Sequence, residues 1–173
     1  MKHGYQLLIS LTALLVSPMA MAHDYSVATG FIAGLLHPVT GIDHLAALVL
    51  AGLFIGRLGS RRWVSISALL IALGSGAAGA QILGAQAWME AAIVFSLPLF
   101  LAMQWMKHPG ASNLAVATMS LFMIAHGWAH GVELAGMNSS FLFGVVTASG
   151  VVLCLFSLTA RIFRSELAAA RHA

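Results

Sequence analysis

The chain has 173 residues, of which 60% are hydrophobic and only 8% are charged. A soluble domain carries about 25% charged residues, so the composition argues against an ordinary soluble fold and indicates a membrane protein. The net charge of +3 comes from Lys and Arg residues at the ends of apolar segments. Nucleic-acid binding would need a basic face or stripe, so it is not expected. The single cysteine, Cys154, excludes an internal disulfide.

The first residues have the parts of a secretory signal peptide. Lys2 supplies the positive charge, an apolar run follows, and a small-x-small cleavage motif spans Ala20 to Ala22. The sequence therefore predicts a cleaved signal at 1–22 and one mature domain at 23–173. If the signal is instead retained as an anchor, residue 23 still lies on the periplasmic side.

Apolar stretches then repeat along nearly the whole mature chain. Four of them have the length of about 20 residues that a membrane-spanning helix needs, and one is longer. We therefore predict an all-α integral membrane protein with a bundle of five transmembrane helices, or six hydrophobic segments counting the signal. The five stretches are 25–56, 63–84, 88–106, 112–134 and 140–160.

The first stretch, 25–56, is too long for a simple span and is interrupted at His37-Pro38. It could cross twice as two short helices, or once as a broken helix. A single crossing places the arginine cluster that follows it, and the basic C-terminal segment, on the cytoplasmic side, as the positive-inside rule requires. We therefore predict one crossing, broken at His37-Pro38. The N-terminus is then periplasmic and the C-terminus cytoplasmic, in a bacterial inner membrane.

Ionisable side chains are costly at membrane depth, so their placement is informative. Three acidic residues stand beside histidines, and five of the eight histidines fall in the same three clusters. Two clusters lie inside apolar stretches, and the third lies at the predicted mature N-terminus. The clusters are His37, Asp43 and His44; His126, His130 and Glu133; and His23 with Asp24.

Imidazole and carboxylate ligands together suit a borderline divalent ion such as nickel, zinc or cobalt. His126 and His130 are four residues apart and share a helix face, which Glu133 continues. The alternative is that these histidines only help helices to pack, which the cost of burial and the neighbouring Pro38 and Gly41 disfavour. No prosthetic group is predicted, because the ion itself is the cargo: Ni²⁺, or alternatively Co²⁺ or Zn²⁺.

Two motifs in the chain resemble the signature of the HupE/UreJ family of nickel permeases. The resemblance extends over essentially the whole mature chain and implies nickel uptake, or cobalt uptake in some relatives, linked to hydrogenase or urease maturation. It also implies that the histidines and acids of both motifs are metal ligands or line the path. One departure is Trp128, where the family pattern often has a further histidine. The motifs are His37-Pro38-x-x-Gly41-x-Asp43-His44-x7-Gly52 and His126-Gly127-x-x-His130-Gly131-x-Glu133.

The predicted function is passage of a divalent metal ion from periplasm to cytoplasm through a path lined by His, Asp and Glu. The chain has no ATP-binding motif, so facilitated diffusion is the simplest mechanism and proton coupling the alternative. Ligating histidines must be neutral, so uptake is expected to fall in mildly acidic medium. The expected partners are the ion and the lipid bilayer, with a homo-oligomer left open.

Other functions compete with this prediction. One is a membrane accessory protein that binds metal without transporting it. A membrane cytochrome and an intramembrane metalloenzyme have less support. For the cytochrome, His126 and His130 lie on one helix and would not clamp one haem. A protease would need a general base beside its zinc. We therefore expect a protein that is not an enzyme.

Overall fold

In a computed structural model, the described residues 30–106, 111–133 and 139–170 are almost entirely helical. The predicted signal peptide, His23 and Asp24 lie outside the described residues. A short 3-10 segment, Gly56–Arg61, separates the second and third helices. The α-helices of the described part are α1 Phe31–Thr40, α2 Ile42–Ile55, α3 Arg62–Leu83, α4 Trp88–Met103, α5 Ala111–Glu133 and α6 Ser139–Ala170.

The break in the first apolar stretch lies at Gly41, so the prediction of a break at His37-Pro38 is wrong. Both residues lie inside α1, and Gly41, with φ −79° and ψ 106°, is the extended residue between α1 and α2. Proline disfavours helix at the residue before it, but its effect is a preference that a short helix can override. The helix therefore continues until glycine, a poor helix former, ends it.

Helices α1 and α2 follow one another along α6 in the same direction. A side-chain carbon added at Gly34 would collide with the backbone of Phe141, and one added at Gly56 would collide with the backbone of Ser157. Later residues of the α1–α2 pair therefore contact later residues of α6, as expected for helices that run in the same direction. The pair makes one broken traverse of the bundle, which agrees with the predicted count of five.

The 3-10 segment reverses the chain between α2 and α3. Gly59 has φ 62° and ψ −125°, a backbone conformation that glycine adopts without steric cost. On either side of this turn, Gly52 contacts Leu153 and Leu70 approaches Gly150, which are neighbouring positions on α6. Helices α2 and α3 are thus antiparallel neighbours against α6.

Helices α3 and α5 pack closely because glycine leaves room for the partner backbone. A side-chain carbon added at Gly127 would collide with the carbonyl of Leu73, and one added at Gly131 would collide with that of Ala77. Small residues spaced four apart allow such close approach between membrane helices. This contact fixes the height and rotation of α5, which carries the second histidine motif.

Large apolar side chains cover the outside of the bundle. Two helical stretches, Ile42–Leu83 with its internal turn and Ser139–Glu166, are long and apolar enough to cross a membrane by length and composition. Soluble monomers rarely expose large continuous apolar patches, so this surface suits contact with lipid. Exposed examples from four helices are Ile71, Ile82, Phe95, Leu121 and Phe143.

Candidate metal site between helices α1, α2 and α5

Four imidazole rings from two distant parts of the chain meet where α1 gives way to α2. The ring centres of His37 and His130 are 4.8 Å apart, and those of His44 and His130 are 4.7 Å apart. The rings of His44 and His126 follow at 5.0 Å, and those of His37 and His44 at 6.2 Å. The two predicted histidine clusters therefore form one group.

The break at Gly41 brings the first two histidines together. In a continuous helix, His37 and His44 would be separated by about 10.5 Å along the axis, at about 1.5 Å per residue. Their ring centres are instead 6.2 Å apart. The break at Gly41 therefore lies between two ligand candidates whose rings approach each other, and broken helices often build ion sites in transporters.

The cluster lies inside the protein. His126 and His130 are each only 1% exposed, and the side chain of His44 is 15% exposed. His37 is half-buried, and its ring packs edge to face against Phe141 at 5.5 Å. Histidines are rare inside apolar helical bundles, so the gathering of four of them calls for a functional explanation.

Asp43 orients His44 through a hydrogen bond. The Nδ1 atom of His44 lies 2.9 Å from Oδ1 of Asp43. Because a carboxylate only accepts hydrogen bonds, the imidazole donates from Nδ1, and neutral His44 keeps its lone pair on Nε2. That Nε2 atom is buried and has no hydrogen-bond partner among the described residues. A lone pair available on the opposite nitrogen is the arrangement found in metal-binding histidines.

The ring spacings fit a shared metal ion. An ion bound to an imidazole nitrogen at about 2.1 Å lies about 3.2 Å from the ring centre, so two tetrahedral ligands have ring centres about 5.2 Å apart. The measured spacings run from 4.7 Å to 6.2 Å, on both sides of this value. These four spacings are therefore close to the separation expected for two imidazoles that share an ion.

The donor atoms themselves are not yet arranged around one point. Among the described residues, no group of three or more His, Cys, Asp or Glu side chains is placed to hold a metal ion. Ring centres follow the backbone, whereas turning a histidine ring about χ2 moves its nitrogens by about 2 Å. The ring spacing therefore indicates what the fold permits, although the nitrogens of the four described rings do not converge on one ion in this structure.

Two other residues of the second motif, Glu133 and Trp128, lie away from the four rings or beyond them along α5. Glu133 is the last residue of α5, one turn beyond His130, and its side chain lies outside the described part. Trp128 is buried on another face of α5, where its Nε1 donates to the carbonyl of Gly84 at 2.8 Å and its ring contacts Trp88 at 5.4 Å. Trp128 therefore faces the α3–α4 connection rather than the cluster.

Sequence reasoning missed Ser96, which α4 adds to the site. Its side chain is fully buried, and its Oγ lies 3.1 Å from Nε2 of His126. The signal in the sequence was a polar residue two positions before Pro98 in an otherwise apolar stretch. Polar residues at membrane depth are informative, but serine was not weighed alongside the ionisable groups.

Comparisons with known proteins agree with the geometry. A family model described as "HupE / UreJ protein" matches residues 11–173. A similar curated protein, "Protein HupE" of Rhizobium leguminosarum bv. viciae, is 28% identical over 150 residues, covering 83% of this chain and 76% of that protein. No solved structure matches the chain significantly.

The family match covers nearly the whole chain, including both histidine motifs and every described helix. The family is a membrane-associated, transporter-type family, and membership indicates a role related to nickel or cobalt transport. The resemblance seen in the two motifs is thereby confirmed. The chain belongs to the HupE/UreJ family.

Proposed function

We propose that this protein carries a divalent transition-metal ion, nickel before cobalt, across the bacterial inner membrane from periplasm to cytoplasm. The observation that carries the proposal is the convergence of four imidazoles, from α1, α2 and α5, inside an apolar bundle. An ion held by these rings would offset the cost of burying them.

The ligand set suits the proposed cargo. Imidazole nitrogens bind nickel, cobalt and zinc well, whereas magnesium and calcium prefer oxygen ligands. Asp43 adds one carboxylate beside His44, so the site offers a negative charge to a dication as it loses water. Glu133, His23 and Asp24 belong to the proposed path as further ligands on the periplasmic side. Of these, Glu133 ends α5 one turn beyond the cluster.

The rest of the core supports a site that is closed toward the opposite end of the bundle. The cluster lies near the end of α5 and the start of α6, whereas the middle of the bundle is filled by apolar side chains. No more than 2% of each of Phe54, Phe100, Met119 and Leu153 is exposed. In the proposed mechanism, the ion enters from the periplasm and waits in the cluster until the helices separate, as in gated transporters.

Metal accumulation in cells tests the proposal. Cells that express wild type, His37→Ala or His130→Ala are incubated with radioactive nickel or cobalt, and uptake is normalised to the amount of protein in the membrane. We expect each histidine variant to lose most of the uptake. Leu36→Ala, at an exposed neighbour of His37 on α1, is the control and should resemble wild type. Equal uptake by wild type and both histidine variants would remove the cluster from the mechanism.

The proposed orientation has its own test. Two single-cysteine variants are made in a Cys154→Ser background. One carries Ser60→Cys in the 3-10 segment, and the other carries Ala85→Cys in the α3–α4 connection. A membrane-impermeant thiol reagent added to intact cells with a permeabilised outer membrane should label the cysteine at 85 but not the one at 60. Labelling of both positions, or of 60 alone, would contradict five crossings with the C-terminus inside.

A second candidate is a membrane protein that binds metal without moving it. The apolar core that contains Phe54, Phe100 and Leu153 favours this function, because these buried side chains offer no ligand to an ion beyond the cluster. Purified protein in liposomes separates the two functions. Nickel that binds at equilibrium but never reaches the liposome interior would support the accessory role over transport.

Haem binding gains no support from the ring spacing. Among the measured ring pairs, His37 and His44 have the widest separation of ring centres, 6.2 Å. The ring centre of His130 lies within 4.8 Å of both of them. A third imidazole therefore stands beside the two rings that would have to sandwich an iron, where the porphyrin would have to fit. We accordingly favour a small ion as the cargo of this cluster.

A further inference from the structure

Ser96 is a buried hydroxyl on α4 that faces the histidine cluster. Its side chain is 0% exposed. The Oγ atom lies 2.6 Å from the backbone carbonyl of Ile93 and 3.1 Å from Nε2 of His126. A serine hydroxyl has a single proton, so it can donate to only one of these two partners.

The chemistry of the two partners decides where the proton goes. The carbonyl of Ile93 has no proton to give, so the 2.6 Å contact is favourable only if Ser96 donates to it. The lone pairs of Oγ then remain for His126, which must donate an N–H from Nε2. A neutral imidazole with its proton on Nε2 keeps its lone pair on Nδ1.

We propose that Ser96 is a positioning residue that holds His126 in the Nε2–H tautomer, so that Nδ1 is the nitrogen offered to the metal ion. This inference deepens the proposed function and rests on it for the metal-binding role. Metal-binding histidines commonly donate their second ring N–H to a fixed acceptor, which selects the tautomer and the ring orientation. Here the acceptor is supplied by a helix that contributes no histidine to the cluster.

The neighbouring ring shows the complementary choice. Asp43 accepts from Nδ1 of His44, which leaves the lone pair of that ring on Nε2, whereas Ser96 accepts from Nε2 of His126, which leaves the lone pair on Nδ1. The two ring centres are 5.0 Å apart and the ring planes are perpendicular. The reverse proton placement on Ser96 would set two oxygens 2.6 Å apart with no proton between them, and would leave Nδ1 of His126 protonated and unable to bind metal.

Nitrogen NMR of the metal-free, full-length protein tests the tautomer directly. Protein labelled with ¹⁵N-histidine is measured at alkaline pH, where imidazoles are neutral, and the His126 signals are assigned by their loss in His126→Ala. We expect a protonated Nε2 and an unprotonated Nδ1 in wild type. Ser96→Ala should shift His126 toward the Nδ1–H tautomer. Wild-type protein with the proton on Nδ1, or no change in Ser96→Ala, would overturn the proposal.

Matched variants separate positioning from packing. Ser157→Ala removes another buried serine that bonds a carbonyl three residues back, from Cys154, and it should leave the His126 tautomer unchanged. Ser96→Thr keeps the hydroxyl and should keep the wild-type tautomer. If the added methyl group prevents folding, Ser96→Cys retains a weaker acceptor of similar size and should give an intermediate tautomer ratio. If the threonine variant does not fold, and Ser96→Cys gives the same tautomer ratio as Ser96→Ala, that result would count against the proposal.

Metal binding provides the second readout. Nickel affinity of the purified protein should fall by about 10- to 100-fold in Ser96→Ala, the usual effect of losing a partner that orients a ligand. Ser157→Ala should bind as wild type does. The tautomer measurement needs no metal, so it stands even if the protein proves to move another cargo. A changed tautomer with unchanged nickel affinity would refute the metal-orienting role of Ser96.

Discussion

His37 and His130 pack edge to face, with ring centres 4.8 Å apart and ring planes at 80°. One residue belongs to α1, before the break at Gly41, and the other lies near the end of α5. Their contact joins the two histidine motifs without any intervening residue. The motifs should therefore act as one site, so that a change in one alters what the other can contribute.

The first prediction follows from this contact. His37→Ala and His130→Ala should each lower the initial rate of nickel uptake at limiting nickel by at least about tenfold, because losing even a partner that only orients a ligand costs about 10- to 100-fold in affinity. The double variant should be little worse than either single variant, because residues that share one ion are not additive. The rates are measured with radioactive nickel in cells with matched protein levels. Independent effects that multiply in the double variant would show that the rings do not serve one ion.

The second prediction concerns Asp43 and its bond to His44. Asp43→Ala removes the acceptor for Nδ1 of His44, so nickel affinity should fall by about 10- to 100-fold. Asp43→Asn keeps an oxygen that can accept from Nδ1 and should lose less affinity than Asp43→Ala. Isothermal titration of purified protein with nickel compares the three proteins. If Asn and Ala reduce affinity equally, the negative charge or direct ligation by Asp43 matters more than orientation of His44.

The members of the candidate cluster could be named from the sequence, but the way they come together could not. Burial cost and spacing single out His37, Asp43, His44, His126 and His130. Their convergence depends on α5 packing against the rest of the bundle and on the break at Gly41, which is a tertiary effect. No spacing rule within one motif could place His130 against His37.

The position of the break and the role of Ser96 escaped sequence reasoning for physical reasons. The conformational preference imposed by Pro38 on His37 is modest, and the contacts of α1 with α6 outweigh it. Serine in a membrane helix commonly bonds its own backbone, as Ser96 does with Ile93, so its sequence context carries little signal. Only the neighbouring helix reveals that the hydroxyl also meets His126.

The third prediction concerns Trp128, the buried indole within the second histidine motif. Its indole donates to the carbonyl of Gly84 and packs against Trp88, away from the cluster. Trp128→His should therefore leave nickel affinity within about threefold of wild type, because sites without shared contacts influence one another by only about 0.5 kcal/mol. Trp128→Phe should cost about 0.5–1.5 kcal/mol of stability through the lost hydrogen bond.

Two measurements decide between packing and ligation at position 128. Nickel titration reports affinity, and thermal unfolding in detergent reports stability. A gain of tenfold or more in nickel affinity for Trp128→His would mean that this face of α5 reaches the ion after all. Unchanged unfolding in Trp128→Phe would contradict the anchoring role of the indole.

The fourth prediction tests whether the close packing of α3 and α5 positions the histidines. Gly127→Ala would push a methyl group into the backbone of Leu73, so α5 must move away from α3. Overpacking of this kind costs about 1–3 kcal/mol. Because His126 is the adjacent residue, the same displacement should lower nickel uptake. Gly74→Ala on α3 is the matched control, since an added carbon there meets nothing within 4 Å.

Thermal unfolding and uptake of both glycine variants are measured side by side. Gly74→Ala should unfold at or above the wild-type temperature, because alanine favours helix over glycine by about 1 kcal/mol, and its uptake should match wild type. Gly127→Ala should show a lower unfolding temperature together with reduced uptake. A destabilised Gly127→Ala protein that still transports nickel at the wild-type rate would mean that the placement of His126 tolerates movement of α5. The cluster would then owe its geometry to α1 and α2 rather than to the contact between α3 and α5.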